Sequence, residues 1–426
     1  MTSARDKNGR PAVVVTGMGV ITSLGAGKSQ NWAQLMEGRS GIRRISRFPT
    51  KGLKTTIAGA VDSVPVEPFC STELAERMAA LVAEEAIAEA GLGAKGDFPG
   101  PLFLAVAPVE MEWTHREALA AAAGANETVG YGDLLRASAS GRFHSIHERC
   151  LFGSVAEHLA ERFGTKGSPI SVSTACASGA SAIQLGIEAL RRGEADAALC
   201  IGTDGSVNPE AFIRFSLLSA LSTANDPPEA AAKPFAKDRD GFVMAEGAAA
   251  LVIESLESAK ARGARILGVL AGCGEMADSF HRTRSSPDGK AIIGCIRNAI
   301  ADAGLAPDDI DYVNPHGTGT PENDKMEYLG IVTVFGERAK SIPVSSNKSM
   351  VGHTLSAAGA VETVFTLLTL QHQRLPPTIN YKIPDPAITL DVVPNVARAA
   401  KVTHVLSNSF GFGGQNVSLV ISGEPT

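Results

Sequence analysis

Runs of basic residues, long apolar stretches, paired cysteines and aromatic side chains are all scarce in this chain of 426 residues. The net charge is −6 and no Lys/Arg stripe occurs, which excludes the electrostatic footprint of a nucleic-acid binder. No apolar run approaches the ~18 residues of a membrane span. The first ten residues, Met1 to Arg10, are polar, and the apolar run Ala12 to Val15 is too short for a signal core. A cytoplasmic protein without membrane insertion is expected. The six cysteines, Cys70, Cys150, Cys176, Cys200, Cys273 and Cys295, form no CxxC pair, which argues against a disulfide framework and against a zinc ribbon. Neither HxxxH nor HExxH occurs, and His144 and His147 have no further ligand group near them in sequence, so no metal is expected. Gly17-Met-Gly19 begins like a dinucleotide loop, but Thr22 stands where the third glycine belongs. What is abundant is glycine, 44 residues, which points to closely packed elements and backbone-lined sites.

Alternating strand and helix signals fill the chain and predict α/β architecture with parallel sheet and covering helices. Residues 11–19 read as a buried strand running into a glycine turn. Residues 73–91 show helical spacing closed by Gly91. Strands are expected at 101–106, 170–173 and 197–202, with a helix over 177–192. A second half repeats the scheme: strand 266–271, helix 288–303, strand ends at 312–314 and 343–346, helix 355–370, and 405–408 running into glycines. Both Val172 to Ala180 and Val344 to Gly352 read as a strand, a polar turn and a helix opened by small residues. This predicts an internal duplication with its junction near 258–265, giving halves 1–262 and 263–426.

Four motifs carry chemistry. Ser173-Thr-Ala-Cys-Ala-Ser-Gly179 puts Cys176 between a strand and a helix. A thiol at a helix N-terminus feels the positive end of the dipole, which favours thiolate, and a sharp strand-to-helix turn exposes the side chain. A small buried core cysteine is the competing reading, and the pattern alone leaves the two even. Asn314-Pro-His-Gly-Thr-Gly-Thr320 fixes His316 at a strand's C-terminal end, with Thr318 and Thr320 two apart on one side of an extended loop. Ser346 to His353 places Lys348 and His353 on a tight turn before a small-residue helix carrying Glu362. The competing reading makes Lys348 a surface charge paired with that glutamate. Asn408-Ser-Phe-Gly-Phe-Gly-Gly414 supplies glycines that make a tight turn or let backbone N–H groups approach a ligand.

In this order and spacing, the four motifs resemble the elongating β-ketoacyl-acyl carrier protein synthases of the thiolase superfamily. Val14 to Gly25, Arg239 to Val243, Glu246 to Ala248 and Pro376 to Asn380 extend the likeness over nearly the whole chain. The resemblance implies a duplicated five-layered α-β-α-β-α thiolase-like fold, a homodimer and an acyl carrier protein as partner. It implies no cofactor of the enzyme's own, phosphopantetheine arriving on the carrier. It assigns Cys176 as nucleophile and His316 and His353 as the pair binding the malonyl thioester, with Lys348 beside them. Glu362 would order that corner and Asp324 would lie behind the site. Thr283, Thr318 and Thr320 would flank the phosphopantetheine arm. Phe412 would gate the site, its N–H completing an oxyanion hole with that of Cys176. The implied reaction is decarboxylative condensation with malonyl-acyl carrier protein, extending the acyl chain by two carbons.

Three stretches depart from the pattern. Residues 105–113, with Pro108, Glu110 and Trp113, stand where relatives carry a glycine-rich strand end lining the acyl pocket. The carrier-docking basic cluster is reduced to Arg77, with Ser219-Ala220 at a second basic position and Arg214 nearby. Residues 138–147 do not resemble the dimer-and-pocket loop that relatives usually carry there. A paralogue serving an unusual chain length or dedicated carrier is one expectation, and a trans-acting polyketide-type ketosynthase is an alternative. A thiolase would need a second, C-terminal cysteine, yet none follows Cys295. A non-catalytic chain-length partner would lack the nucleophile.

Overall fold

The computed structural model describes residues 4–108, 111–124 and 130–423. Nine strands set the frame: β1 Val13–Thr22, β2 Leu102–Ala105, β3 Ile170–Val172, β4 Ala197–Asp204, β5 Gly247–Ser255, β6 Gly268–Ala277, β7 Tyr312–Asn314, β8 His404–Phe410 and β9 Gln415–Ser422. Nine helices matter here: α1 Ser71–Ala90, α2 Trp113–Ala122, α3 Tyr131–Ala139, α4 His144–Cys150, α5 Ser154–Phe163, α6 Ser178–Arg191, α7 Lys290–Asp302, α8 Pro321–Phe335 and α9 Ala358–His372.

The strand path is β7-β8-β9-β6-β1-β5-β4-β2-β3. In the first half, β2 runs parallel to β3 and β4, while β4–β5 and β5–β1 are antiparallel. In the second half, β7–β8 is parallel, while β8–β9 and β9–β6 are antiparallel. Val344 bridges Val313 of β7 where the first half has β3. Both halves therefore follow one order, with the third segment at the outer edge and the first innermost. β1 and β6 join the halves through Val14 opposite Val269.

Helices complete five layers. α1 covers the outer face of the first half-sheet, α7 and α8 lie outside the second, and α6 and α9 form the central layer. A central helix must be apolar on every side, and α9 is buried at each position from Ala358 to Leu370. α6 and α9 cross backbone to backbone. A Cβ on Gly179 would lie 2.6 Å from Ala360 N, and one on Gly359 2.4 Å from Ala180 N. No side chain larger than hydrogen fits either position.

Several expectations are corrected. The first strand does not end in a glycine turn. It continues to Thr22, and Gly17 and Gly19 lie within it, where a Cβ would meet Ala86 O at 2.0 Å and Val82 O at 2.1 Å. Close packing on α1 explains these glycines, which form no dinucleotide loop. The expected 266–271 strand runs on to Ala277. Pro343 to Ser346 contributes isolated bridges rather than a strand. α1 ends as expected, with Gly91 left-handed at φ 63°. No described helix is long and apolar enough to cross a membrane.

Candidate active site

The strand-to-helix turn at Cys176 is tight. Ala175 adopts φ 49°, a conformation that L side chains rarely take, and the Ser178 hydroxyl accepts from Thr174 N–H at 2.8 Å and donates to Ala175 O at 2.6 Å. Cys176 thereby stands just ahead of α6. In the second half, β7 ends at Asn314 and presents His316, and the turn before α9 presents His353. The cysteine sulfur and one nitrogen of each imidazole lie within 4.8 Å of one another. The imidazole rings meet edge to face with centroids 5.2 Å apart. All three side chains are buried.

Burial holds both imidazoles well below their ordinary pKa of 6.5, with the nearby Lys348 charge adding to the effect. They are neutral at neutral pH. His353 Nδ1 accepts the Leu355 N–H at 3.3 Å, which leaves the proton on Nε2. That Nε2 and His316 Nδ1 are buried without a protein partner. Lys348 and Glu362 form an ion pair, as the bland reading had it, but inside the protein rather than on its surface. Burial pushes Glu362 up to about 7, against the pull of Lys348.

Cys176 departs from expectation in one respect. Burial raises its thiol from 9.0 to about 11, outweighing the lowering by the Phe412 N–H, Lys348 and its own N–H. The helix-terminus argument for thiolate fails here because removal from water is the larger effect. The two backbone N–H groups nonetheless converge on the sulfur. Phe412 sits at the tip of the β8–β9 hairpin, where a Cβ on Gly411 would meet Thr174 O at 2.5 Å, so the hairpin closes directly over the cysteine turn.

A cavity of about 480 Å³ opens from Cys176, His316, His353 and Phe412 to the surface past Thr318, Thr320 and Thr283. The Thr318 and Thr320 hydroxyls bond each other at 2.9 Å, and Thr320 also caps α8 by accepting from Asn323 N–H. Asp324 lies buried behind this loop, accepting from Phe235 N–H at 2.7 Å and Gly319 N–H at 3.2 Å. Lys348, Glu362 and Asp324 do not line the cavity.

Two residues escaped sequence reasoning. Buried Glu327 accepts from His316 N–H at 2.8 Å, Gly317 N–H at 2.7 Å and the Asn408 amide at 3.1 Å, tying the histidine loop to β8. Asp204, at the end of β4, accepts from Ser356 N–H at 3.1 Å, and its charge works to raise Cys176. An acid two turns into a helix, or at a strand end, gives little sign in sequence of partners so distant.

The departing stretches also have places. None of the described residues of 105–113 lines the Cys176 cavity. Val106, Pro108 and Glu112 line a separate space of about 40 Å³ with Asp204, Glu210 and Arg214. Glu110 lies outside the described residues. Arg77 is committed to Glu73 and to Pro65 O. Residues 138–147 end α3 and open α4 beside a further cavity of about 370 Å³.

Cys176, His316 and His353 are close enough to share a cation, but the Lys348 charge that keeps the imidazoles neutral opposes a dication equally. Two neutral N–H donors and two backbone N–H groups around a thiol instead define an acyl-transferring enzyme on a thiolase-like frame.

Comparison with known proteins agrees. Residues 10–259 match the N-terminal domain of beta-ketoacyl synthase and residues 267–382 its C-terminal domain. The chain is 36% identical over 418 residues to 3-oxoacyl-[acyl-carrier-protein] synthase 2 of Coxiella burnetii, covering 96% of this chain and 98% of that one. It is 36% identical over 425 residues to a putative polyketide beta-ketoacyl synthase 1 of Streptomyces cyaneus, with the same coverages. Among solved structures, a type II PKS acyl-carrier protein in complex with its ketosynthase, bound to the hexaketide, aligns with TM-score 0.86 and 32% identity, covering 97% of this chain and 100% of that one. The chain belongs to the beta-ketoacyl synthase family of condensing acyltransferases.

Proposed function

We propose that Cys176 accepts an acyl group from an acyl carrier protein and that the enzyme condenses it with malonyl-acyl carrier protein, releasing carbon dioxide and a 3-oxoacyl-acyl carrier protein. The observation that carries this reading is the convergence of Cys176 with two neutral imidazoles and two backbone N–H groups. The thiol sulfur attacks the donor thioester, and its proton leaves on the released carrier thiol. Loss of carbon dioxide from the malonyl group leaves an enolate, whose oxygen takes hydrogen bonds from His316 and His353. The enolate carbon attacks the acyl-Cys176 carbonyl, and the resulting oxyanion rests between the Cys176 and Phe412 N–H groups. Each such donor contributes ~3 kcal/mol in comparable oxyanion holes. Collapse expels the Cys176 thiolate, which is reprotonated.

Lys348 sets the field at the imidazoles, Glu362 holds Lys348, and Asp324 holds the Thr318–Thr320 loop. Thr283, Thr318 and Thr320 flank the arm of the incoming thioester. The reaction as written calls for no metal or free cofactor. The halves 1–262 and 263–426 each supply part of the site, the first the nucleophile and the second both histidines. The exposed edge strand β3, with Ile170 45% accessible, suits pairing with a second copy, so a homodimer is part of the reading.

A polyketide-type product is the second reading. It is favoured by the likeness to a putative polyketide beta-ketoacyl synthase and to a type II polyketide ketosynthase structure. Intact-mass measurement with acyl-carrier donors of graded length, followed by malonyl carrier, tests both readings. An adduct is expected on wild type and not on Cys176→Ala, while His316→Ala and His353→Ala acylate without condensing. An adduct that survives Cys176→Ala would overturn the assignment. Preference for saturated chains would reject the polyketide reading, and preference for oxygenated chains would support it.

A further inference from the structure

We propose that Arg282, Arg284 and Lys325 clamp the phosphodiester at the far end of the substrate's pantetheine arm, a group shared by carrier proteins and coenzyme A. The proposal rests on the condensing reading above. All three residues line the cavity that contains Cys176, and all three are exposed. Among the described residues, no hydrogen bond or ion pair engages their side chains. Arg77, Arg191, Arg239 and Arg262, by contrast, all have acidic partners. The acids lining the same cavity are Asp278 and Glu322. Asp278 accepts from Phe280 N–H at 2.9 Å and Ser286 N–H at 2.7 Å, which orients it toward its own loop, and the two carboxylates against three cations still leave the mouth one positive charge in excess.

The cations are also held in register with the nucleophile. Gly413 N–H donates to Arg282 O at 2.8 Å and Asp278 N–H donates to Gly414 O at 2.8 Å, so their loop is strapped to the hairpin that carries Phe412. Lys325 lies in the first turns of α8, whose N-terminal residues Thr320 and Pro321 face the same cavity and add the positive end of the helix dipole. Arg77 cannot provide this charge cheaply, because an anion must displace both Glu73 and Pro65 O. Fork-shaped guanidinium groups suit phosphate oxygens, and a lysine adds a mobile point charge. On this reading the anion-recognising charge of this chain sits at the cavity mouth and not on α1.

The test compares acylation of Cys176 by three donors with one acyl group: the carrier thioester, the coenzyme A thioester, and the thioester of pantetheine without phosphate. For Arg282→Ala, Arg284→Ala and Lys325→Ala, the ratio of kcat/KM for each phosphorylated donor to that for the pantetheine donor should fall about tenfold, the usual scale of one hydrogen bond to a charged group. Arg284→Glu should lower it further. Ratios that do not move overturn the proposal. So does a fall confined to the carrier donor, which would place the cations against the carrier's protein surface. Absence of any adduct on Cys176 of the wild type, from all three donors, would sink the condensing reading and the clamp with it.

Discussion

The ionisation of Cys176 gives the sharpest test of the physical account. The perturbation is pH, applied to the free enzyme. Burial lifts the thiol from 9.0 to about 11. Two units of displacement leave roughly a hundredfold less thiolate near neutrality than an exposed cysteine holds. Alkylation by iodoacetamide follows the thiolate, so its rate at Cys176 should climb about tenfold per pH unit from 7 to 10, without a plateau. Peptide mass spectrometry after timed quenching reads the rate at this residue. Lys348→Met should lower the rate further, because the lysine charge is among the influences that pull the thiol down. A plateau near pH 7 would refute the reasoning. It would mean that an imidazole holds the proton as a thiolate–imidazolium pair and that the two histidines are not both the neutral donors invoked for the enolate.

The two histidines give a companion test. Folded values well below 6.5 mean that protons bind only at lower pH, so decarboxylation of malonyl carrier should stay flat down through pH 6.5, and a midpoint there would contradict the burial argument. Glu327→Gln keeps the shape but puts an amide N–H against one of two backbone N–H groups. A loss of about 1–3 kcal/mol in unfolding free energy is expected, with condensation falling more than acylation; equal falls in both steps would make Glu327 merely structural. Gly179→Ala drives a Cβ into the Ala360 backbone and should cost about 1–3 kcal/mol in a urea titration, while an unchanged midpoint would show that the crossing can spread.

Sequence motifs located the residues that touch the cavity because each sits on a short, local device. Cys176 follows a turn, His316 follows a strand end, and Phe412 tops a hairpin. The duplication was readable for the same reason, since strand, turn and helix recur in order. What stayed hidden depends on partners far along the chain. Glu327 meets Asn408 of another element, 81 positions away, and Asp204 meets Ser356 across 152. The strand β5 was missed because Gly247 to Ile253 is a small-residue apolar run, buried on both faces and without alternation. The ionisation of Cys176 was misjudged because a dipole argument can be made from sequence, whereas the loss of water around a side chain is known only once the surrounding elements are placed.

The cavity that holds the nucleophile also holds both histidines, and the threonines lead to that one floor. An enzyme with a single seat for two guests must seat them in turn. Its throughput then depends on the ratio of donor to extender, not only on their amounts. An extender that arrives first finds no acyl group to join and keeps the donor out, so flux should peak at an intermediate extender level and decline beyond it. A flux that rises steadily with extender would show that the shared floor imposes no such order.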